Sequence, residues 1–172
     1  AVHERLATAE LADVFEAESD FVHYIGHCET DGFRCPDGHL SASSLSACGA
    51  QTFFLNACGS YHEGVDLVEN GAVAGAVTFS QVLNDHAVSV GSTFARLLVH
   101  GFGFERALQL ARRRIMMGKD YAVVGDGTHA LAQSENRLPA TVQLEAVEAG
   151  YLVSYDQYSS GHAGAFYRPY LG

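Results

Sequence analysis

The sequence predicts an α/β domain in which a mostly parallel sheet is flanked by helices, followed by a C-terminal antiparallel β extension. Short, continuously apolar segments at 21–26, 52–57 and 72–79 have the length and composition of strands that are buried on both faces. Segments with helical periodicity alternate with them as far as residue 127, and this order favours a parallel sheet. At 172 residues, 48% of them hydrophobic, the chain is large enough to bury a core as one domain.

The first helix is predicted over 4–18, where apolar residues recur near helical spacing between acidic ones. The first strand follows it directly. A loop is predicted over 28–39, because this stretch contains Asp-Gly and Pro-Asp-Gly turn sequences. One or two helical turns with Ser41 as N-cap are then predicted over 40–48, before the second strand.

The following residues repeat the alternation of helix and strand. Helices are predicted over 63–70, 84–100 and 104–117, each with apolar residues along one face. Two further strands are predicted over 72–79 and 121–124, and both are short and rich in small or β-branched apolar residues. The first 127 residues therefore predict helices packed on both faces of one sheet.

The C-terminal part has a different pattern. Segments 141–147, 151–158 and 164–170 alternate polar residues with β-branched or aromatic ones, and short turns separate them. This pattern predicts an antiparallel meander. The chain is therefore divided into an α/β part at 1–135 and a β-rich extension of the same domain at 136–172.

Composition limits the partners of the chain. Its net charge is −10, with twenty acidic residues against ten basic ones, of which only one is lysine. Such a surface repels nucleic acid and anionic lipid, so neither is expected as a partner. The acidic, lysine-poor composition also suits a halophilic source. No apolar run approaches ~20 residues, so we expect no membrane span. A cytoplasmic location is a separate expectation.

The four cysteines are Cys28, Cys35, Cys48 and Cys58. Free thiols are expected, because a chain of this size does not depend on disulfides for a core. A zinc site would draw on the first three cysteines and on His27 and His39, but this spacing has no close CxxC pair. We therefore expect no metal and no organic cofactor.

Two reactive side chains directly follow predicted strands. His27 ends the first apolar segment and Cys58 ends the second, and ligands of open α/β sheets gather beyond the carboxyl ends of strands. The 24 residues at 29–52 are enough for a crossover that returns the chain parallel. In neighbouring strands the two side chains would start about 5 Å apart. Because a nearby histidine raises the thiolate fraction of a cysteine, this pair predicts a nucleophilic dyad.

Packing also explains each residue when it is taken alone. A cysteine at the end of a strand is commonly a small buried hydrophobe. His23, inside the first strand, is interpreted as a hydrogen-bonded core histidine. The matching positions of His27 and Cys58, rather than either residue by itself, favour a chemical role.

The two segments resemble the histidine and cysteine signatures of caspase-like cysteine peptidases, most closely the CHAT type, which is related to separases. They read Val22-His23-Tyr24-Ile25-Gly26-His27 and Phe54-Leu55-Asn56-Ala57-Cys58. The resemblance continues in the same order through 71–85, the helix pair at 86–117 and the strand at 121–126, and covers about residues 8–130.

This resemblance implies a caspase-like fold and a cysteine endopeptidase that cleaves protein or peptide substrates without a cofactor. Cys58 would be the nucleophile and His27 the general base. Backbone N–H groups of Cys58 and Cys28 would form the oxyanion site. The implied substrate-binding residues are Gln81, Asn84 and Asp85, although Asp85 also suits a plain helix N-cap.

Three positions depart from the family pattern. Cys28 replaces the glycine after the histidine, Gln81 replaces a tryptophan, and Asn84 replaces the first of two acids. A β-carbon at position 28 restricts the backbone beside the oxyanion site. A catalytically inactive caspase-like interaction or signalling module is therefore the alternative, and a thiol redox or metal-binding domain is a third class.

Members of the family have two strands before the histidine strand, where this chain has only a helix. We therefore expect the chain to be the C-terminal portion of a longer protein, with further regulatory domains. Its missing N-terminal strands, or a second copy in a homodimer, would cover the open edge of the sheet. The thiols of Cys28 and Cys58 are also predicted to form a regulatory disulfide, since both flank the proposed dyad.

Overall fold

The computed structural model describes residues 1–79, 84–113, 120–131, 140–148 and 150–157, without the side chains of 84–86. Within these ranges the strands are β1 Ser19–Ile25, β2 Cys28–Glu29, β3 Gly32–Cys35, β4 Gly38–Leu40, β5 Ala50–Asn56, β6 Ala74–Thr78, β7 Tyr121–Gly125, β8 Ala140–Val147 and β9 Gly150–Gln157. The α-helices are α1 Thr8–Glu16, α2 Tyr61–Glu69, α3 Asn84–Val99 and α4 Phe104–Arg112. A 3-10 turn at Ala42–Ser44 precedes β5.

Four strands form the central sheet in the order β1-β5-β6-β7. The first three are parallel, and β7 runs antiparallel to β6. The predicted α/β class with a mostly parallel sheet is confirmed. The direction of β7 is not encoded in its short apolar run, because a strand buried on both faces has the same pattern in either direction.

Helices cover both faces of this sheet, and β5 supplies a side chain to each layer. Phe53 and Leu55 lie in the layer shared with α1 and α2, whereas Phe54 lies in the layer shared with α3 and α4. All three side chains are almost completely buried. The second predicted strand is continuously apolar because both of its faces are covered, as expected.

The prediction that the first strand is buried on both faces is wrong. Among the described strands, β1 pairs only with β5 and stands at the edge of the sheet, so His23 and Ile25 are exposed. His23 was expected to be a core histidine with a hydrogen-bond partner. Its ring instead stacks on Phe54, with centroids 4.9 Å apart. Burial of that ring face lowers the pKa of His23.

The predicted loop at 28–39 contains a small antiparallel sheet, β2-β3-β4, and the turn sequences form its two turns. The buried Phe33 ring anchors this sheet, lying 5.3 Å from the ring of Phe15 and 4.8 Å from that of Tyr24. Strands of two to four residues are too short to show a period in the sequence. Gly32 is required in the first turn because its φ is +117° and a β-carbon would strike the backbone of Leu40.

The predicted helices are confirmed with shifted ends. Helices α1 and α2 span 8–16 and 61–69, and Gly71 follows α2 with φ +126°, as expected after a helix. The predicted end of α4 beyond residue 113 lies outside the described residues. Ser41 precedes the 3-10 turn but makes no capping hydrogen bond, because its hydroxyl pairs with that of Ser43 at 2.8 Å.

The C-terminal extension contains an antiparallel hairpin of β8 and β9, which confirms two of the three predicted strands. The third, predicted at 164–170, lies outside the described residues. In the described part of the chain, no helix is both long enough and apolar enough to cross a membrane.

Candidate active site

The register of β1 and β5 brings the strands that precede the two predicted dyad residues to the same edge of the sheet. The pairs run in parallel from Phe21 opposite Thr52 to Ile25 opposite Asn56. His27 and Cys58 each lie two positions beyond this last pair, His27 after β1 and Cys58 after β5. Neighbouring strands lie about 4.8 Å apart, so the backbones at both positions start at the same edge of the sheet.

Cys58 lies in the tight connection between β5 and α2. It is half-buried, with buried Ala57 and Ser60 on either side of the turn. Gly59 adopts φ +69°, and this left-handed conformation allows the chain to reverse directly into the helix. Helix α2 begins at Tyr61, so Cys58 stands just before a helix N-terminus, where the dipole stabilises an anionic thiolate.

The connection that carries Cys58 is fixed by buried hydroxyl groups. Thr78, the last residue of β6, donates a hydrogen bond from Oγ1 to the carbonyl of Ala57. The Ser60 hydroxyl donates to the carbonyl of Leu55 at 3.2 Å and accepts the backbone N–H of Thr78 at 3.1 Å. Because Ser60 and Thr78 are both completely buried, water does not compete for these bonds.

His27 has a fixed backbone and an exposed side chain. Its carbonyl accepts hydrogen bonds from the Tyr24 hydroxyl and from the Arg34 N–H, both at 3.0 Å. Among the described residues, no hydrogen bond holds the His27 imidazole, and none joins it to the Cys58 thiol. Catalytic hydrogen bonds are often open before substrate binds, so this geometry is compatible with a dyad that closes later.

The thiol of Cys28 lies close enough to Cys58 for a charge on Cys58 to affect its pKa. It is half-buried at the start of β2. Burial, followed by the negative charges of Glu63, Cys58 and Glu29, raises the pKa of Cys28 to about 11. It therefore stays protonated at neutral pH and is a poor nucleophile. Both Cys28 and Cys58 are free, so the disulfide between them stays a prediction.

Sequence reasoning missed Glu63, a buried carboxyl group near these thiols. It lies in the first turn of α2, and its Oε2 accepts the N–H of Ala42 at 2.5 Å. Burial raises the pKa of Glu63 more strongly than this hydrogen bond lowers it. Its position in the first helical turn is the only sequence signal that could have found it.

Tyr121 was also missed. It begins β7 opposite Thr78, and its ring lies 6.1 Å from that of Phe54 in the layer beneath α3. The residue is 1% exposed, and its hydroxyl has no hydrogen-bond partner in the described structure. Burial first, then the charges of Cys58 and Asp120, raise the pKa of Tyr121 to about 12. A tyrosine at the start of a strand gives no sequence signal of this position.

The predicted substrate-binding residues are only partly described. Asn84 and Asp85 are the first residues of α3, at the carboxyl edge of the sheet, but their side chains are not described. Gln81 lies outside the described residues. Their predicted roles therefore stay predictions.

The residues considered for zinc serve other contacts. His39 lies 3.2 Å from Glu29 across the small sheet, and the Cys48 thiol is buried and donates to the carbonyl of Ala50 at 3.5 Å. In the ranges that the structure describes, no three His, Cys, Asp or Glu side chains are grouped so that they could hold a metal ion.

No protein-family model matches this chain, and no curated protein matches it. The functional argument therefore depends on the geometry at the ends of β1 and β5.

Proposed function

We propose that this protein is a caspase-like cysteine endopeptidase, with Cys58 as nucleophile and His27 as general base. The observation that carries the proposal is the parallel register of β1 and β5, whose last pair, Ile25 and Asn56, lies two residues before both His27 and Cys58. The hydrogen-bonded turn before α2 adds a second support, because it holds a half-buried thiol at a helix N-terminus.

In this reaction the Cys58 thiolate attacks the carbonyl carbon of a peptide bond. The new C–S bond forms a tetrahedral oxyanion, which the backbone N–H groups of Cys58 and Cys28 would stabilise. The C–N bond then breaks, and protonated His27 gives its proton to the leaving amine. Water activated by His27 hydrolyses the thioester, which releases the acid product and restores the thiol.

The same proposal includes a partner for the open edge of the sheet. Among the described strands, β1 pairs on one side only, so its outer edge is available to further strands of a longer chain or to a second copy. We propose that such a partner covers it. A cytoplasmic setting belongs to the same proposal and suits four cysteines that are all free.

A catalytically inactive interaction module is the second candidate, and Cys28 is the observation that favours it. Its side chain lies close enough to Cys58 for a negative charge there to raise the pKa of Cys28, at a position where the family has glycine. The open arrangement between His27 and Cys58 also fits a fold that has kept its shape without its chemistry.

Peptide cleavage separates these two candidates. The wild type, Cys58→Ala and His27→Ala are incubated with a complex peptide mixture, and new termini are identified by mass spectrometry. The peptidase predicts new termini with wild type only, and Cys35→Ala is the matched control because this thiol lies in the small sheet. Absence of new termini with wild type, or their persistence in Cys58→Ala, would contradict the peptidase.

A further inference from the structure

Two large apolar side chains are exposed near the ends of the strands that lead to His27 and Cys58. Ile25 is 73% exposed and Val88 is 71% exposed. Single exposed apolar residues are common on protein surfaces. Ile25 is the last residue of β1 and Val88 lies in the second turn of α3, so both belong to the edge of the sheet where Cys58 follows β5.

Hydrogen bonding locates this edge. Ile25 is the last residue of β1 and pairs with Asn56, which stands two residues before Cys58. The Asn56 side-chain amide donates to the carbonyl of Ala87 at 3.2 Å, so the first turns of α3 lie over this residue. Val88 directly follows Ala87 in the helix.

Packing of α3 gives the direction of both side chains. A β-carbon at Gly91 would lie 3.3 Å from the Phe54 ring and 3.6 Å from the His23 ring, so this side of α3 rests on β1 and β5. Val88 is one turn before Gly91 on the same side of the helix, and Ile25 is two residues after His23 on the same face of the strand. Both therefore stand one step nearer the carboxyl edge of the sheet.

The opposite side of the site is also apolar. Phe79 follows β6 and is 53% exposed. Its ring stacks on that of Tyr61, with centroids 5.0 Å apart, and Tyr61 is the first residue of α2, three positions after Cys58. Uncharged side chains thus lie on both sides of the connection that carries the thiol.

We propose that Ile25 and Val88 form one wall of a substrate subsite that takes an apolar side chain beside the scissile bond. The proposal rests on the peptidase function proposed above and names its substrate class. An apolar side chain at this edge would remove its own surface and that of both residues from water. An acidic side chain would give up hydration with no positive charge on Ile25, Val88 or Asn56 to replace it.

Electrophilic probes with one recognition side chain test this subsite. Chloromethyl ketones of leucine, arginine and aspartate are reacted with the protein, and alkylation at Cys58 is followed by peptide mass spectrometry. The thiolate displaces chloride, so a C–S bond forms as the C–Cl bond breaks. Iodoacetamide reports the thiol without a recognition side chain. The leucine probe is expected to react about tenfold faster than the aspartate probe.

Matched variants of α3 show whether the wall is responsible. Val88→Ser is expected to lower the ratio of the leucine-probe rate to the iodoacetamide rate by about fivefold to tenfold. Val99→Ser is the control, because Val99 is 64% exposed at the far end of the same helix. Ile25→Thr, which keeps a β-branched residue in the strand, is expected to lower the ratio in the same direction as Val88→Ser.

The outcomes separate this subsite from the peptidase itself. Equal rates for the three ketones, a faster arginine probe, or equal effects of Val88→Ser and Val99→Ser would overturn the apolar subsite. If iodoacetamide then still reacts rapidly at Cys58, the proposed nucleophile stands. If iodoacetamide also reacts slowly, the nucleophile is wrong and the subsite is wrong with it.

Discussion

Thr78→Val tests the hydrogen bonds that fix the connection before α2. The substitution preserves the shape of the side chain and removes its hydroxyl group. In the structure that hydroxyl donates to the carbonyl of Ala57 and lies 3.4 Å from the hydroxyl of Ser60. All three residues are at least 96% buried, so water has little access to the groups left behind.

The expected loss follows from the buried carbonyl of Ala57. A buried acceptor left without its donor costs about 1–3 kcal/mol. We therefore expect the free energy of unfolding to fall by about 1–3 kcal/mol. Because Ala57 directly precedes Cys58, the looser connection should also change the rate at which iodoacetamide alkylates that thiol.

Urea unfolding followed by circular dichroism measures the first effect, and site-resolved mass spectrometry measures the second. Thr93→Val is the matched control, because Thr93 is exposed on α3 and its substitution should change stability by less than about 0.5 kcal/mol. If Thr78→Val and Thr93→Val have the same midpoint and slope, the network does not stabilise the connection, and the reasoning is refuted.

Three further substitutions test other parts of the structure. Tyr121→Phe removes a buried hydroxyl that has no described hydrogen-bond partner. Thermal unfolding should therefore show unchanged stability or a gain of up to about 1 kcal/mol, and a clear loss of stability would contradict this. Gly75→Ala should destabilise the fold by roughly 1–3 kcal/mol, because the new β-carbon would lie 2.0 Å from the buried Phe53 ring. An unchanged midpoint of urea unfolding would count against this packing. The pKa of Glu63 is raised in the folded protein. Its contribution to the free energy of unfolding is therefore fully present below its ordinary pKa of 4.5, and it is lost as pH rises through the raised pKa. The stability of Glu63→Gln relative to wild type should therefore increase from about pH 4 to pH 7 in denaturant titrations, and a constant difference would refute the shift.

Much of the fold could be predicted because its signals are local. The continuous apolar run at β5 reflects a strand covered on both faces, and the glycine after α2 reflects a left-handed helix end. The parallel pairing of β1 with β5 could also be predicted, since a crossover of this length returns a parallel neighbour. These features depend on residues close together in the chain.

The remaining features depend on contacts between distant segments. The exposure of His23 follows from the edge position of β1, and its own segment looks as apolar as that of a central strand. The environment of Tyr121 depends on β7 pairing antiparallel with β6, which brings its ring toward Phe54. The raised pKa of Glu63 depends on burial against the 3-10 turn that begins at Ala42. No pattern within these segments encodes such contacts.

The dependence of Cys58 alkylation on pH tests the proposed dyad most directly. Rates of iodoacetamide reaction at Cys58 are measured from pH 5 to pH 10 in wild type and His27→Gln, with Cys35 in the same samples as an internal reference. The dyad predicts that wild type reacts faster than His27→Gln near pH 7, because His27 takes the proton of the thiol, and that the two rates converge at high pH. Identical profiles for the two proteins would contradict the assignment of His27 as the partner of Cys58.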